Sequence, residues 1–172
     1  MTKPLPSNVN LLPEEVRKTS NAKKMKRKRE KPTKPDKDSL DALAEAESES
    51  GFFEAALLHL WIPLEYLCKE LISNNSMDGA WPDSLGVQCK PINKLCENDD
   101  VKIALYSTAT INKQDHSTSK SILTELGLKE TVKEYRNKVA HNGARLSKQE
   151  YYACKHLISN AFDLCCKWQG EP

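Results

Sequence analysis

Long hydrophobic runs are missing from this chain of 172 residues. No stretch of about 18 apolar residues occurs, and no apolar segment of signal-peptide type lies near the N-terminus. No segment alternates polar and apolar residues with the period of two that marks a half-buried strand. The sequence therefore predicts a protein without membrane spans or β-sheet, and we expect it in the cytoplasm.

Paired cysteine motifs are also missing. The six cysteines include no CxxC pair, and the adjacent Cys165 and Cys166 are poorly spaced for a shared metal ion or a disulfide. Four of the six lie in or beside apolar helical patterns. We therefore expect reduced, mostly buried thiols, with no metal site and no cofactor.

Charge is distributed unevenly along the chain, although its formal net value is only +2. Residues 21–37 hold nine Lys and Arg against two acids, a net charge of +7, and residues 1–20 add +1. The remaining residues, 38–172, carry −6. Because the basic run has almost no apolar side chains, it cannot bury a core. We predict that residues 1–37 form a disordered basic arm and that residues 38–172 form one folded domain.

The basic arm admits three interpretations. Its cations can bind RNA by neutralising phosphates and releasing counterions. Residues 23–31 also fit a nuclear-localisation signal, which would place a eukaryotic protein in the nucleus. In the third interpretation, the arm is a solubilising tail that folds back on the acidic domain. The candidate RNA-binding residues are Lys23, Lys24, Lys26, Arg27, Lys28 and Arg29.

Helical periodicity begins at residue 38. Asp38 or Ser39 can cap a first helix. After Gly51, apolar residues recur at steps of three and four in a long second helix, and Pro63 is expected to kink it. The apolar stripe of this helix comprises Phe53, Ala56, Leu57, Leu60, Leu64, Leu67 and Leu71.

The second half of the domain is predicted to be helical as well. Residues 91–109 contain two short helical patterns, and residues 120–140 contain one longer pattern that ends before Gly143. Ser147 and Glu150 make a capping box for a last helix. We therefore expect an all-α bundle of four to five helices. The face of the last helix comprises Tyr151, Cys154, Ile158, Ala161, Cys165 and Trp168.

The segment YRNKVAHNG, residues 135–143, places Arg136, Asn137 and His141 near the end of a helix. A purely structural interpretation is sufficient for these residues taken alone. A histidine in a last turn interacts favourably with the helix dipole, and glycine often follows a helix end. The other interpretation is an active site, and the residue types by themselves leave both open.

Arg136-Asn137-x-x-x-His141 resembles the Arg-x4–6-His motif of the HEPN superfamily (higher eukaryotes and prokaryotes nucleotide-binding). Residues 44–71 are similar to the first long helix pair of that family, and residues 141–165 resemble its closing loop and helix. The resemblance covers roughly residues 40–168 and excludes the arm. It implies a HEPN-like helical bundle.

The resemblance also implies a metal-independent endoribonuclease, usually a homodimer in which the motifs of two protomers face one cleft. RNA supplies its own nucleophile, the 2′-hydroxyl, so cleavage leaves 2′,3′-cyclic phosphate and 5′-hydroxyl ends. In this role His141 is the general base or acid, Arg136 stabilises the charge on the phosphate, and Asn137 orients the phosphate or His141. Such enzymes act as toxins, defence components or RNA-processing factors, and a regulatory or antitoxin partner would be a separate chain.

Helix geometry restricts how these residues can act together. Asn137 and His141 are four positions apart and share a face, whereas Arg136 and His141 lie about 140° apart around an ideal helix. Either the helix unwinds before His141, or a second protomer completes the site across a two-fold axis. Glu65 can hold Arg136 or pair with a surface lysine.

Two alternatives to the enzyme remain. One is a catalytically silent HEPN-like module for dimerisation or for nucleotide or RNA binding. The acidic domain is a poor surface for RNA, which favours a module that does not cleave it. The other is an accessory protein whose arm binds RNA while the bundle only assembles. Aromatic residues make up 6% of the chain, and the sequence indicates no exposed stacking platform on the bundle.

Overall fold

The computed structural model describes residues 30–75, 78–82, 99–109 and 117–170. Within them the chain forms six helices and no strand, which confirms the predicted all-α bundle but exceeds the predicted number of four to five helices. None of these helices is both long and apolar enough to cross a membrane. Residues 1–29 and the short helix predicted to start at Pro91 lie outside the described residues. The helices are α1 (Lys37–Glu49), α2 (Phe53–Asn75), α3 (Asp99–Ala109), α4 (Ser117–Glu125), α5 (Val132–Asn142) and α6 (Lys148–Gly170).

The first helix begins slightly earlier than the sequence predicts. Asp36 is the N-cap, and its carboxylate accepts hydrogen bonds from the backbone N–H and the hydroxyl of Ser39. The expected cap at Asp38 or Ser39 is therefore wrong. Asp36 lies at the N-terminus of the helix, where the helix dipole favours an anion, and the same hydrogen bonds lower its pKa.

Helix α2 is at the centre of the bundle and packs against α1, α5 and α6. The predicted apolar stripe is buried from Ala56 to Leu71, with Phe53 partly buried at its start. Each fully buried leucine contributes roughly 1.5–3 kcal/mol relative to exposure. Pro63 is itself buried, and the helix continues on both sides of it. A 23-residue element therefore spans the whole core.

Helix α6 forms the second half of the core against α2 and α3. Its predicted face is confirmed, because five of the six residues are buried and Trp168 is partly buried. The predicted capping box is also present: Ser147 N–H donates to Glu150 at 2.9 Å, and Glu150 N–H donates to Ser147 Oγ at 3.2 Å. Burial raises the pKa of the Cys154 thiol in this face to about 12.

The pattern predicted as one helix over residues 120–140 is divided into α4 and α5. Gly127 adopts a left-handed φ of 72°, and its N–H donates to the Thr124 carbonyl. Leu128 N–H then donates to the Leu123 carbonyl, which closes the end of α4. Thr131 caps α5 by accepting from Glu134 N–H. The apolar period continues across the break, which explains why periodicity alone missed it.

Residues 30–36, assigned from the sequence to the disordered arm, lie against the bundle. Lys31 Nζ is 2.5 Å from Glu70 Oε1 and lies 5.8 Å from the centroid of the Tyr66 ring, both on α2. Pro35 lines a small cavity with Phe162 of α6. We call residues 30–36 the strap. The strap follows directly from the basic run in the sequence.

Candidate active site

Both ends of α5 are fixed by hydrogen bonds to the backbone. Thr131 caps its start, and Gly143, in the left-handed conformation with φ of 62°, follows its end. The N–H groups of Gly143 and Ala144 both donate to the Lys138 carbonyl. The predicted helix end at Gly143 is confirmed. It places His141 in the last turn, at the exposed end of the helix.

Helix α5 remains regular through Asn142. Unwinding before His141, one of the two geometries predicted from the sequence, is therefore wrong. Because α5 is continuous, Arg136 and His141 project from faces about 140° apart. Their surroundings differ accordingly, since Arg136 faces α2 and His141 is exposed to solvent.

Arg136 is held from two sides. Its Nη1 donates to Asn137 Oδ1 at 3.1 Å, and its Nη2 lies 4.0 Å from Glu65 Oε2 of α2. The side chain is 31% exposed, so part of the guanidinium remains open to solvent. Arg136 Nε is buried, and among the residues that the structure describes it has no hydrogen-bond partner. A ligand would therefore meet the terminal nitrogens rather than Nε.

Glu65 is the centre of a small polar network on α2. Its Oε2 accepts a hydrogen bond of 2.9 Å from the Trp61 indole, and its Oε1 lies 2.8 Å from Lys69 Nζ. The two options considered for Glu65, holding Arg136 or pairing with a lysine, are thus both realised. Because one carboxylate is shared by Arg136 and Lys69, the network retains one positive charge.

Asn137 makes a contact that the sequence did not predict. Its carboxamide oxygen accepts from Arg136, so it positions the guanidinium from its own helix. Orientation of the phosphate or of His141 was expected instead. The side-chain NH₂ of Asn137 remains a potential donor.

The other histidines and the arm cations lie away from α5 or outside the described residues. His59 pairs with Glu47 at 2.7 Å between α2 and α1, and His156 is exposed on α6. The six arm cations, Lys23 to Arg29, and His116 lie outside the described residues. Across the described ranges, no group of three His, Cys, Asp or Glu residues is arranged to hold a metal ion.

Exposed aromatic residues are the feature that sequence reasoning missed. Tyr152 is 43% exposed on α6, and the Nζ atoms of Lys148 and Lys155 lie 6.0 and 5.9 Å from its ring centroid. Trp81 packs against Tyr66 with ring centroids 5.1 Å apart. Tyr152 is thus an exposed ring that the sequence did not indicate, whereas Tyr66 is buried and Trp81 is half-buried. A helical pattern cannot show which aromatic rings a loop such as 78–82 brings onto a helix.

Comparisons with models of protein families, with curated proteins and with solved structures found no match to this chain. A function for the chain therefore has to be inferred from its fold and from the local geometry around α5.

Proposed function

We propose that this protein is a HEPN-type, metal-independent endoribonuclease. The observation that carries the proposal is the placement of Arg136, Asn137 and His141 on one helix, near its solvent-exposed end. Arg136 is oriented by Asn137 and Glu65, as a group that stabilises charge needs to be. His141 is exposed to solvent and can approach RNA.

The chemistry needs only these residue types. His141 removes the proton from the 2′-hydroxyl of RNA or donates one to the 5′-oxygen that leaves, and solvent water takes part in the other proton transfer. The terminal nitrogens of Arg136 bind the phosphate oxygens, where negative charge increases in the transition state. The 2′-oxygen forms a bond to phosphorus as the bond to the 5′-oxygen breaks. The products are a 2′,3′-cyclic phosphate and a 5′-hydroxyl.

The continuous helix supports a homodimer as the active form. Because Arg136 and His141 of one protomer project from different faces of α5, one phosphate is gripped better by Arg136 of one protomer and His141 of its partner. The proposed active site is therefore composite. RNA is its substrate, and the role as a toxin, a defence component or a processing factor depends on the RNA that is cut.

A catalytically silent module for dimerisation, nucleotide binding or RNA binding is the second candidate. The net charge of −6 over residues 38–172 favours its dimerising form, because an acidic domain attracts RNA poorly. The proposed enzyme overcomes this repulsion through the basic arm.

Cleavage of total RNA in the presence of EDTA tests the proposal. We expect cleavage by the wild type, with loss of at least about a hundredfold for His141→Ala and for Arg136→Ala. His156→Ala is the matched control, because His156 is an exposed histidine outside the proposed site. Equal cleavage by all proteins, or cleavage that requires added divalent metal, would reject the catalytic assignment in favour of the silent module or a contaminant.

A further inference from the structure

A groove of about 250 Å³ lies on the outer side of α2, between the strap and the loop that carries Trp81. Tyr66 and Trp81 form one wall with ring planes inclined at 48°. Ile62, which is 43% exposed, lies at the rim, and Pro32 and Pro35 of the strap close the opposite side. The lining is thus mostly apolar and aromatic, as in sites that bind small flat groups.

The polar groups of the groove belong to the network around Arg136. Glu65 and Lys69 both line it, and Glu65 Oε2 lies 4.0 Å from Nη2 of Arg136. The Lys69 side chain is only 15% exposed, so its charge is partly shielded from water. A ligand in the groove would therefore lie beside the guanidinium that the proposed function assigns to the scissile phosphate.

We propose that this groove binds a base of single-stranded RNA next to the cleaved phosphate. This inference rests on the proposed function, which places that phosphate at Arg136. Aromatic side chains bind bases by stacking, with little preference for sequence, and nearby cations hold the backbone. Tyr66 is buried, so Trp81, which is half-buried against the Tyr66 ring, provides the aromatic surface, and Lys69 and Arg136 provide the charge.

The path of the chain favours RNA as the occupant. Lys31 pairs with Glu70 next to Pro32 of the groove lining, and the six arm cations end at Arg29, two residues earlier in the sequence. A strand held by the arm is therefore delivered to the groove. An apolar peptide would gain nothing from this concentration of positive charge, whereas a polyanion gains from every cation it neutralises.

Binding of a short RNA with 2′-O-methyl riboses, labelled with a fluorophore, tests the inference without cleavage. We expect Trp81→Ala to weaken binding by about tenfold, the effect of losing one stacked base, and Trp81→Phe to restore most of it. Ile62→Glu should weaken binding as well, by adding a negative charge at the rim. Because Ile62→Glu leaves Trp81 in place, it tests the groove even if the Trp81→Ala variant folds poorly.

Phe52→Ala is the matched control for removing an exposed aromatic ring. Phe52 is 60% exposed just before α2, and 14 residues, or about 20 Å of helix, separate it from Tyr66. Wild-type affinity in both Trp81→Ala and Ile62→Glu would overturn the inference. Loss of affinity in Tyr152→Ala, with Trp81→Ala unaffected, would also overturn it, because the RNA would then lie on α6.

The outcomes separate this inference from the proposed function. If His141→Ala still binds the blocked RNA through Trp81 but the wild type never cuts RNA, the groove is confirmed and the endoribonuclease is rejected. If the wild type cuts RNA and Trp81 has no effect on binding, the endoribonuclease remains and the groove inference fails.

Discussion

Arg136 shows how the fold prepares one side chain before any ligand arrives. Asn137 and Glu65 each engage a terminal nitrogen, and the half-buried position restricts the rotamers of the side chain. Less entropy would therefore be lost on the proposed binding of a phosphate by the guanidinium. The negative charge of Glu65 offsets the positive charge of Arg136, so Glu65 does not attract RNA. We propose that Glu65 contributes by positioning Arg136.

Replacing Glu65 by glutamine tests this positioning role. Glu65→Gln keeps the volume and the acceptor for Trp61 but removes the charge that faces Arg136. We expect kcat for RNA cleavage to fall roughly ten- to a hundredfold, with KM changed much less, because the arginine is displaced rather than lost. Steady-state kinetics with a defined RNA provides the measurement.

Glu130→Gln is the control for this substitution. Glu130 pairs with Lys138 of α5 at 2.6 Å and does not contact Arg136, so its loss should leave kcat unchanged. An equal decrease in both variants would mean that general loss of charge, and not the position of Arg136, explains the effect.

At the scale of the helices, the sequence predicted best where burial is continuous. The stripes of α2 and α6 were readable because each helix buries one face over its length. The division at Gly127 was missed because α4 and α5 both contribute apolar residues in phase with one period. The break between the two helices is marked by Gly127 in the left-handed conformation and by the Thr131 cap, and not by the apolar periodicity.

The candidate site was predictable only in part. Its three residues on α5 are local in sequence, so a motif can identify them. The contact between Arg136 and Glu65 joins α5 to α2 across 71 positions, and only tertiary packing decides which acid meets the arginine. The contact between Trp81 and Tyr66 could not be predicted for the same reason, because Tyr66 lies on a helix and Trp81 lies in a loop.

The capping box of α6 gives a prediction for stability. Ser147→Ala removes one of the acceptors for the first turn and should lower the free energy of unfolding by about 1 kcal/mol at pH 7. Chemical denaturation of the wild type and the variant measures the difference. Ser159→Ala, on the exposed face of the same helix, should change the stability far less.

The effect of Ser147→Ala should depend on pH. Hydrogen bonds from the backbone N–H and hydroxyl of Ser147 lower the pKa of Glu150 below its usual value of 4.5. A carboxyl with a lowered pKa stabilises the folded state above its unfolded pKa, and this contribution is lost as the pH falls through the folded pKa. The difference between wild type and variant should therefore shrink below about pH 4.5. A difference that grows in acid would contradict this assignment.

Over the whole molecule, the proposed binding of RNA depends on the distribution of charge. Residues 1–29 carry nine Lys and Arg against two acids, so deleting them changes the formal net charge from +2 to −5. The deletion should stop at residue 29, because Lys31 contacts Glu70 and Asp36 caps α1. The deletion leaves both the strap and the proposed site intact.

This truncation should weaken RNA binding and make it less dependent on salt. If all six arm cations contact phosphates, the slope of log affinity against log salt decreases by up to about 4, at roughly 0.7 per contact with a single strand. Affinities of both proteins at several salt concentrations provide the test. An unchanged slope, or tighter binding by the truncated chain, would support an arm that folds onto the acidic domain instead.

The composite site makes a prediction about mixed dimers. Combining inactive Arg136→Ala and His141→Ala chains gives heterodimers with one doubly damaged site and one intact site. With random exchange, we expect about a quarter of the wild-type activity to return, because half the dimers are mixed and each has one working site of two. Activity that stays absent despite proven exchange would show that each site takes both residues from one chain.

The most direct measurement concerns the ends of the cut RNA. A defined RNA is cleaved in EDTA, the site of cleavage is located, and the same RNA is then made with a single 2′-deoxy nucleotide on the 5′ side of that site. The account predicts 2′,3′-cyclic phosphate and 5′-hydroxyl ends for the ribose substrate, and no cleavage at the deoxy position. Ends with a 5′-phosphate, or cleavage that continues at the deoxy position, would contradict it, since neither is compatible with attack by the 2′-hydroxyl.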